Sequence, residues 1–501
     1  MKAHSGYMIL IMATALCLSA CQPETSVIVF PEEEKPDFPA TDFSYYLPDA
    51  DSIRNVLEDW VGNTEFSDSI VEISFSGNGY TAINPWQDDG IRLEQSDGEL
   101  VCTVSTESRV VFHLTGSGQM GFKLYSPRKV KLLLENLQLT NSKGPALNLQ
   151  GKKRQFILLS GENTLTGKGY DTADGKEQAK AALFGEGQLI FSGDGSLTVR
   201  SAGKHGIASD DYVRIHSGNL TVISAEDRAN KDGIHAKDGF VMDGGSLVVE
   251  SRDEGIQAGG DDHPGYCHIL GGEIRILAAN GDGIKSTGDL CVTDGSLQVQ
   301  SVRNEGIESK RNLLIEGGTI EVTAKDDAVN VGLLLTINGG RVYACSSDND
   351  ALDSNHDFII NGGIVVGIAS HTPETALDAD GGSLIINGGT VLGIGDNSFM
   401  FVYPSLSSRQ YSTEMLLDNE TSYNIGNDTY PEAMNFDIPA TTYTTRILVS
   451  SPYLTEGDQR VQKDVSLEGG EVWHGLHLGA THSGGKYWRD VTAFLGKLKN
   501  H

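Results

Sequence analysis

A segment of about 23 residues recurs along the middle of the chain, and this repeat limits the fold more than any other feature. Each copy opens at a polar turn followed by Gly or Ala and an aliphatic residue, as in KDGIHAKDGFVMDGGSLVVES at 231–251. That Gly or Ala falls at positions 206, 233, 255, 283, 306, 328 and 351. A chain of this kind grows lengthwise, because each repeat packs mainly against its two neighbours.

Apolar residues alternate within each copy, which is the period of a β-strand. In one copy Leu313, Ile315, Ile320 and Val322 would face inward, on both sides of a Gly-Gly turn. Three short strands per copy predict an all-β parallel β-helix with about 23 residues per coil. One inward slot is predicted to hold Phe240, Cys267, Cys291, Leu313, Leu335, Phe358 and Leu384. We therefore expect Cys267 and Cys291 to be buried core residues, with a disulfide between them as the alternative.

The N-terminus indicates export. Residues 1–20 are interpreted as a lipoprotein signal peptide, because the apolar stretch Met8–Leu18 is too short to span a bilayer. The following Leu18-Ser19-Ala20-Cys21 resembles a bacterial lipobox, in which the Cys21 thiol receives the lipid. Gln22 favours sorting to the outer membrane, and the acidic run at 32–34 leaves cell-surface exposure or a plain acidic tether open. Membrane contact is expected through the lipid anchor only.

The remaining chain divides into three predicted regions. Residues 21–65 form a tether and an N-terminal cap, with a helical pattern at Ile53–Trp60. Residues 66–400 form the parallel β-helix domain, and residues 401–501 form C-terminal strands that make a small β cap. Caps are expected because bare solenoid ends expose unpaired strand edges.

The formal charge of −30 excludes nucleic acid and anionic membrane surfaces as favoured partners. When the copies are stacked in register, the residues immediately before the Gly or Ala form one column that carries part of this charge. Asp253, Asp326 and Asp348 lie beside this column. The column contains His205, Asp232, Glu254, Asp282, Glu305, Asp327 and Asp350.

Calcium would neutralise this column. Carboxylates about 5 Å apart repel by roughly 3 kcal/mol at an effective dielectric constant of 20, and a hard cation with oxygen ligands removes that repulsion. Imidazole and sulfur are too sparse in the repeat to favour zinc or copper. The alternative is that Asp-Gly simply suits the turn.

A second column, two residues after the Gly or Ala, should face outward. Its polar side chains suit the hydroxyl and carboxylate groups of a polysaccharide, although a solvated face is the alternative. The predicted binding residues are His235, Gln257, Lys285, Glu308, Asn330, Asp353 and Asp378.

The chain resembles a known family in LLLENLQLTNSKGPALN (132–148), GQLIFSGDGSLTV (187–199), DALDSNHDFIINGG (350–363) and ALDADGGSLIINGGT (376–390). These segments are similar to the carbohydrate-binding domain-containing lipoproteins related to the clostridial cellulose- and pectin-binding β-helix protein. That family implies a right-handed parallel β-helix, similar to family nine pectate lyases, with bound calcium and an acidic polysaccharide as ligand.

The resemblance carries the family's acidic calcium turn onto this sequence, with departures at His205, Lys231 and Asn304, where an acid is replaced. The implied metal ligands are Asp232, Asp253, Glu254, Asp282, Glu305, Asp326, Asp327 and Asp350, and by extension Asp348, Asp353, Asp378 and Asp380.

The predicted function is therefore that of a calcium-dependent polysaccharide-binding surface lipoprotein for uronate-containing glycans. One alternative is a polysaccharide lyase acting by β-elimination, with Lys285 as the general base and Lys231 or Lys237 as substitutes. Acidic neighbours would oppose that role by keeping the lysine protonated. The other alternative is a non-catalytic structural adhesin.

Overall fold

The chain folds into a parallel β-helix of about 12 turns, which confirms the predicted fold class. A computed structural model describes residues 57–60, 66, 69–171, 177–224, 231–260, 263–371, 373–395, 402–418, 421–439 and 445–497. Within these ranges the regular structure is β-strand apart from one 3-10 helix, Leu57–Asp59. Residues 1–20 and Cys21, predicted to be the signal peptide and its lipidation site, lie outside the described ranges.

Each turn gives one strand to each of three parallel sheets, as Ile234–Ala236, Gly239–Met242 and Ser246–Ser251 do. Sheet 1 consists of Ile91–Ser96, Glu99–Val104, Gly121–Tyr125, Leu147–Gln150, Ala181–Gly185, His205–Ser209, Ile234–Ala236, Ile256–Gly260, Ile284–Ser286, Ile307–Ser309, Val329–Val331, Leu352–Ser354 and Leu377–Ala379, with His263–Pro264 beside it.

Sheets 2 and 3 are joined at the N-terminal end by the long strands Ile70–Gly77, Val110–Gly118 and Val130–Thr140, with Gly79–Ile83 beside the first. Sheet 2 continues through Gln155–Ser160, Leu189–Gly193, Tyr212–Ile215, Gly239–Met242, Tyr266–Ile269, Leu290–Val292, Asn312–Ile315, Leu334–Ile337, Asp357–Ile360 and Leu384–Ile386. Sheet 3 continues through Glu162–Gly167, Ser196–Ser201, Asn219–Ile223, Ser246–Ser251, Glu273–Ala278, Ser296–Ser301, Thr319–Ala324, Arg341–Ser346, Ile364–Ala369 and Thr390–Gly395. A hairpin of Tyr170–Asp171 and Gln178–Ala179 projects from one turn.

The corner between sheets 2 and 3 is set by Gly-Gly and Asp-Gly turns. Gly340 has φ +80°, a backbone conformation that other residues rarely adopt. A Cβ there would also lie 2.7 Å from the backbone of the preceding turn, so both the conformation and the available space require glycine. Asn338, Asn361 and Asn387 stack at this corner in successive turns. The side-chain amide of Asn361 donates a hydrogen bond of 2.8 Å to Asn338, and that of Asn387 donates one of 2.9 Å to Asn361. The corner therefore fixes the register of successive turns.

One predicted core position was wrong. Cys267 pairs in register with Phe240 and Leu290, so Leu290 fills the inward slot assigned to Cys291. Cys291 instead aligns with His268 and Leu314, because the inward position of each turn is counted back from the corner glycine, which is Gly295 here. Both cysteines are buried and carry free thiols, so the disulfide alternative does not hold in the structure.

The N-terminal segment contacts the side of the β-helix. Asp59 is buried and lies 3.1 Å from Arg214, on the outer face of sheet 2, and its carboxylate accepts hydrogen bonds from Tyr212 and Arg154. Residues 57–60, which were predicted to belong to the tether and cap at 21–65, thus contact the side of the β-helix. Residues 21–56 lie outside the described residues.

The C-terminal region ends the parallel stack with antiparallel strands. Thr445–Ser450 pairs with Thr390–Gly395 and with Ser412–Leu417. A further antiparallel sheet contains Ser422–Gly426, Met434–Asp437, Gly457–Glu468, Glu471–Trp473, Leu476–Leu478 and Thr481–Ala493. Its core packs over Val366, Leu392 and Ile394 on the outer face of sheet 3. No helix among the described residues has the length and apolar composition needed to cross a bilayer.

Candidate functional site

The acidic column runs along the edge of sheet 1. At each turn, the residue after the column position donates a hydrogen bond from its backbone amide to the backbone carbonyl of the column residue in the next turn. Gly233 donates to Glu254, Gly283 to Glu305 and Ala328 to Asp350, at 2.9 to 3.1 Å. The column side chains are therefore held at the spacing of strands in a sheet, about 4.8 Å.

The outward column is also in register. Successive pairings align the predicted residues in one row on sheet 1. The row is Ala208, His235, Gln257, Lys285, Glu308, Asn330, Asp353 and Asp378.

The C-terminal end of these columns is a cluster of carboxylates. Asp350, Asp353 and Asp378 offer oxygen atoms that all lie within 4.8 Å of one another. Asp327 is adjacent, since its Oδ1 accepts a hydrogen bond of 3.0 Å from the backbone amide of Asp350. The two columns thus meet in one site that sequence spacing had separated into metal and glycan residues.

Burial dominates the electrostatics of this carboxylate cluster. It raises the pKa of Asp327 to about 8, with added repulsion from Asp353 and Asp350. Burial and the charge of Asp378 raise the pKa of Asp353 to about 7, and burial raises that of Asp350 to about 7. Without a cation these groups resist ionisation at neutral pH.

The cluster fits a hard divalent cation. Asp353 is 8% exposed, and its Oδ1 has no hydrogen-bond partner among the described residues. A buried unpaired carboxylate oxygen is costly. Calcium takes oxygen ligands in irregular geometry, so Asp350, Asp353 and Asp378 match its donor preference.

The centre of the column contains its own cation. Nζ of Lys285 lies 2.9 Å from Asp282, 3.1 Å from Glu308 and 3.6 Å from Glu254. Burial favours neutral Lys285, but Asp282 and Glu308 outweigh burial and raise the lysine pKa. Lys285 is therefore protonated at neutral pH, and this geometry opposes its predicted role as a general base.

The N-terminal end of the column is shielded by histidines. Burial opposes ionisation of Asp232, but the neighbouring imidazoles of His205 and His235 outweigh it and hold the pKa of Asp232 well below its usual range. Burial and the charge of Asp232 raise the pKa of Glu254 to about 8. Asp253 joins Asp232 and Glu254 in a second carboxylate group within 4.8 Å.

Several predicted ligands lie in other surroundings. Asp326 accepts a hydrogen bond of 2.8 Å from Asn349, and Asp348 pairs with Lys325 at 3.1 Å. Burial, followed by Asp282, raises the pKa of Glu305 to about 8. Among the described residues, these three acids are in none of the candidate metal groups.

A further column borders a cleft that the sequence analysis missed. Arg275, Gln298, Glu321 and Tyr343 align on the outer face of sheet 3, and the ring of Tyr343 stacks on His474 of the C-terminal sheet at 3.6 Å. The cleft has a volume of about 320 Å³. The repeat could have indicated the column, but His474 lies outside the repeat and its contact could not be read from the pattern.

The carbohydrate-binding domain-containing protein family matches residues 97–351 and 292–391. Among solved structures, the chain is similar to a polysaccharide lyase-like protein from C. thermocellum, solved as a gadolinium derivative. That match has 21% identity and a TM-score of 0.39, and it covers 50% of this chain and 94% of that one. No curated protein matches the chain. The extent of the family match shows that the chain belongs to the carbohydrate-binding domain-containing protein family.

Proposed function

We propose that the chain is a calcium-dependent, outer-membrane lipoprotein that binds acidic, uronate-containing polysaccharides. The observation that carries this proposal is the cluster of Asp350, Asp353 and Asp378, in which a buried oxygen of Asp353 is unpaired. Family membership supports a carbohydrate as the partner.

Calcium would be held by Asp350, Asp353 and Asp378, with Asp327 close behind. When bound, it supplies positive charge that attracts a uronate carboxylate. Asn330 lies beside Asp353 in the same outward row, where its polar atoms can bond a sugar hydroxyl at the neighbouring turn. Glu308, in the same row, is buried and pairs with Lys285 and Lys310.

The charge of the chain explains why a cation is required. At a net charge of −30, the protein repels a polyanion at long range. Binding of a uronate polymer is therefore expected to need calcium at the contact. A neutral glycan would carry no such requirement.

The test is retention of the purified chain on immobilised polygalacturonate, with calcium or with a chelator. Asp353→Asn should lose retention, because the variant removes a charged ligand at unchanged side-chain size. Asp348→Asn is the matched control, since that exposed carboxylate pairs with Lys325 outside the cluster. Equal retention with and without calcium would contradict the proposal.

The same assay distinguishes the alternative functions. Accumulation of unsaturated uronates, which absorb in the ultraviolet, would support β-elimination. Failure to bind any polysaccharide, together with specific binding of a protein, would support an adhesin. Retention without product formation supports the proposed function.

The lipid anchor has its own test. Wild-type protein should incorporate a labelled fatty acid in the producing bacterium and fractionate with the outer membrane. Cys21→Ala should lose the label and leave the membrane fraction. A labelled variant, or an unlabelled wild type, would contradict attachment at Cys21.

A further inference from the structure

Two imidazoles and a carboxylate meet at the N-terminal end of the acidic column. His205 comes from one turn of the β-helix, and Asp232 and His235 come from the next. Nδ1 of His235 and Nδ1 of His205 lie 2.7 Å and 3.2 Å from Oδ2 of Asp232. The imidazole rings stack with centroids 4.5 Å apart. Ligand atoms of all three side chains lie within 4.8 Å of one another.

The carboxylate side of this group is buried, and the imidazole side is partly open to solvent. The Asp232 side chain is 4% exposed, whereas those of His205 and His235 are 13% and 24% exposed. Glu254, from the third turn, lies near Asp232 but groups with Asp232 and Asp253 rather than with the histidines. Lys231 offsets part of the negative charge near His205. An ion can therefore reach the imidazoles from solvent while the carboxylate remains fixed.

The donor set differs from that of the carboxylate cluster at the other end. Calcium and magnesium select oxygen ligands, whereas imidazole nitrogen with carboxylate oxygen suits zinc and neighbouring transition metals. The sequence alone argued against such metals, because histidine is sparse in the repeat. The register of the turns places His205 and His235 together despite that scarcity.

The spacing is close to that of a metal site. Zinc bonds nitrogen at about 2.0–2.1 Å, so two ligand atoms of a tetrahedral site lie about 3.3 Å apart. The contact from His205 to Asp232 is already 3.2 Å. The contact from His235 is 2.7 Å, so insertion of the ion requires a movement of roughly half an ångström at the more exposed ring.

One imidazole nitrogen in the group accepts a hydrogen bond. The backbone amide of Asp232 lies 3.2 Å from Nδ1 of His205 and donates to it, which requires that nitrogen to be unprotonated. Metal ligation also needs an unprotonated nitrogen, so an ion bound at Nδ1 of His205 would replace this long hydrogen bond without displacing a proton from that atom.

We propose that His205, Asp232 and His235, with Glu254 adjacent, bind a divalent transition metal ion of the zinc class. The ion would clamp successive turns of the β-helix together at this end of the column. The site is independent of the proposed calcium site, which lies five turns away at Asp350 and Asp353.

The experiment uses the full chain in excess calcium, so that oxygen-only sites are filled before zinc is added. Bound zinc is measured after dialysis, and cobalt is used in parallel because its visible spectrum reports nitrogen and oxygen coordination. His205→Gln and His235→Gln keep a group that can hydrogen bond to Asp232. His356→Gln is the matched control, since that exposed histidine pairs with Asp357 away from the cluster.

Wild type and the control should retain about one equivalent of zinc, as expected for a single site with three or four ligands. Each cluster variant should bind zinc at least about tenfold more weakly, with unchanged calcium uptake. Cobalt should give intense visible bands in wild type and in the His356→Gln control, but not in the cluster variants. Equal zinc retention in the cluster variants, release of zinc by calcium, or absent cobalt bands in wild type would each overturn the proposal. Because the cobalt spectrum is read on the wild type, a variant that fails to fold leaves the test intact.

Discussion

Nζ of Lys285 lies 2.9 Å from Oδ2 of Asp282, which places a fixed positive charge in the middle of the acidic column. The carboxylates along this edge of sheet 1 therefore differ in their partners. Asp232 contacts His235, Asp282 pairs with Lys285, and Asp353, in the outward row, has an oxygen without a partner among the described residues. This difference leads to separate predictions for Lys285 and for Asp353.

Lys285→Met should destabilise the fold by about 2 kcal/mol. Loss of one partner from a fully buried ion pair costs roughly 3–5 kcal/mol, and water reduces that cost here because Lys285 is 22% exposed. Chemical denaturation measures the change. Lys310→Met is the control, because Lys310 pairs with Glu308 but is 54% exposed and should cost less than about 1 kcal/mol. Equal losses in the two variants would refute the fixed-charge role of Lys285.

Asp353→Asn should have opposite effects with and without calcium. In chelator at pH 8 the variant should be more stable than wild type, by on the order of 2 kcal/mol, because it removes a charge that burial and Asp378 disfavour. In calcium the wild type should gain about 2.7 kcal/mol at a concentration one hundred times the Kd, and the variant should gain less. Thermal melting measures both effects. A variant that is less stable in chelator and gains equally from calcium would count against the site.

The stability of the calcium-free protein should fall as pH rises from about 4 to 8. The pKa values of Asp350 and Asp353 are raised from 3.8 to about 7, and that of Asp327 from 3.8 to about 8. Between these values the folded state binds more protons than the unfolded state, so the free energy of unfolding decreases with pH. Saturating calcium should remove the share of this slope that comes from these three carboxylates, whereas Glu254 and Glu305, whose pKa values are also raised to about 8, should keep theirs. A calcium-free protein whose stability rises over this range would contradict the burial of these carboxylates.

Asp59→Ala should release the N-terminal segment from sheet 2. Asp59 and Arg214 are both fully buried, and removal of one partner from such a pair costs about 3–5 kcal/mol, reduced here because Asp243 still pairs with Arg214. Limited proteolysis should cleave the variant near residue 60 before the β-helix is cut. The neighbouring Glu58→Ala, with an exposed carboxylate, is the control and should behave as wild type. Equal cleavage of both variants would show that the ion pair does not hold the segment.

The sequence predicted features that depend on local repetition. Strand period, turn glycines and the row from His235 to Asp378 follow from the spacing of each copy, and the register agrees with that row. The count failed at Cys291, although Asp294-Gly295 occupies the same corner that Gly-Gly occupies in the neighbouring copies; counted back from that corner, the inward residue is Leu290. An error of one residue reverses the face in a strand, so the corner is a better reference than the strand itself.

Contacts between distant parts of the chain could not be predicted. Asp59 reaches Arg214 across 155 residues, and His474 stacks on Tyr343 from the C-terminal sheet. The environment of Lys285 also depends on three turns at once, with Glu254, Asp282 and Glu308 each supplied by a different turn. Such groupings arise from stacking, and a single repeat contains no signal for them.

The antiparallel ending of sheet 3 has a consequence for assembly. Thr390–Gly395 forms the last parallel rung, and its outer edge is already bonded to Thr445–Ser450. Another copy of the chain that approached head-to-tail would have to displace this strand before its own rungs could continue the sheet. Growth into a continuous fibre along the solenoid axis is thereby blocked at this end, and contacts between copies are directed to the lateral faces.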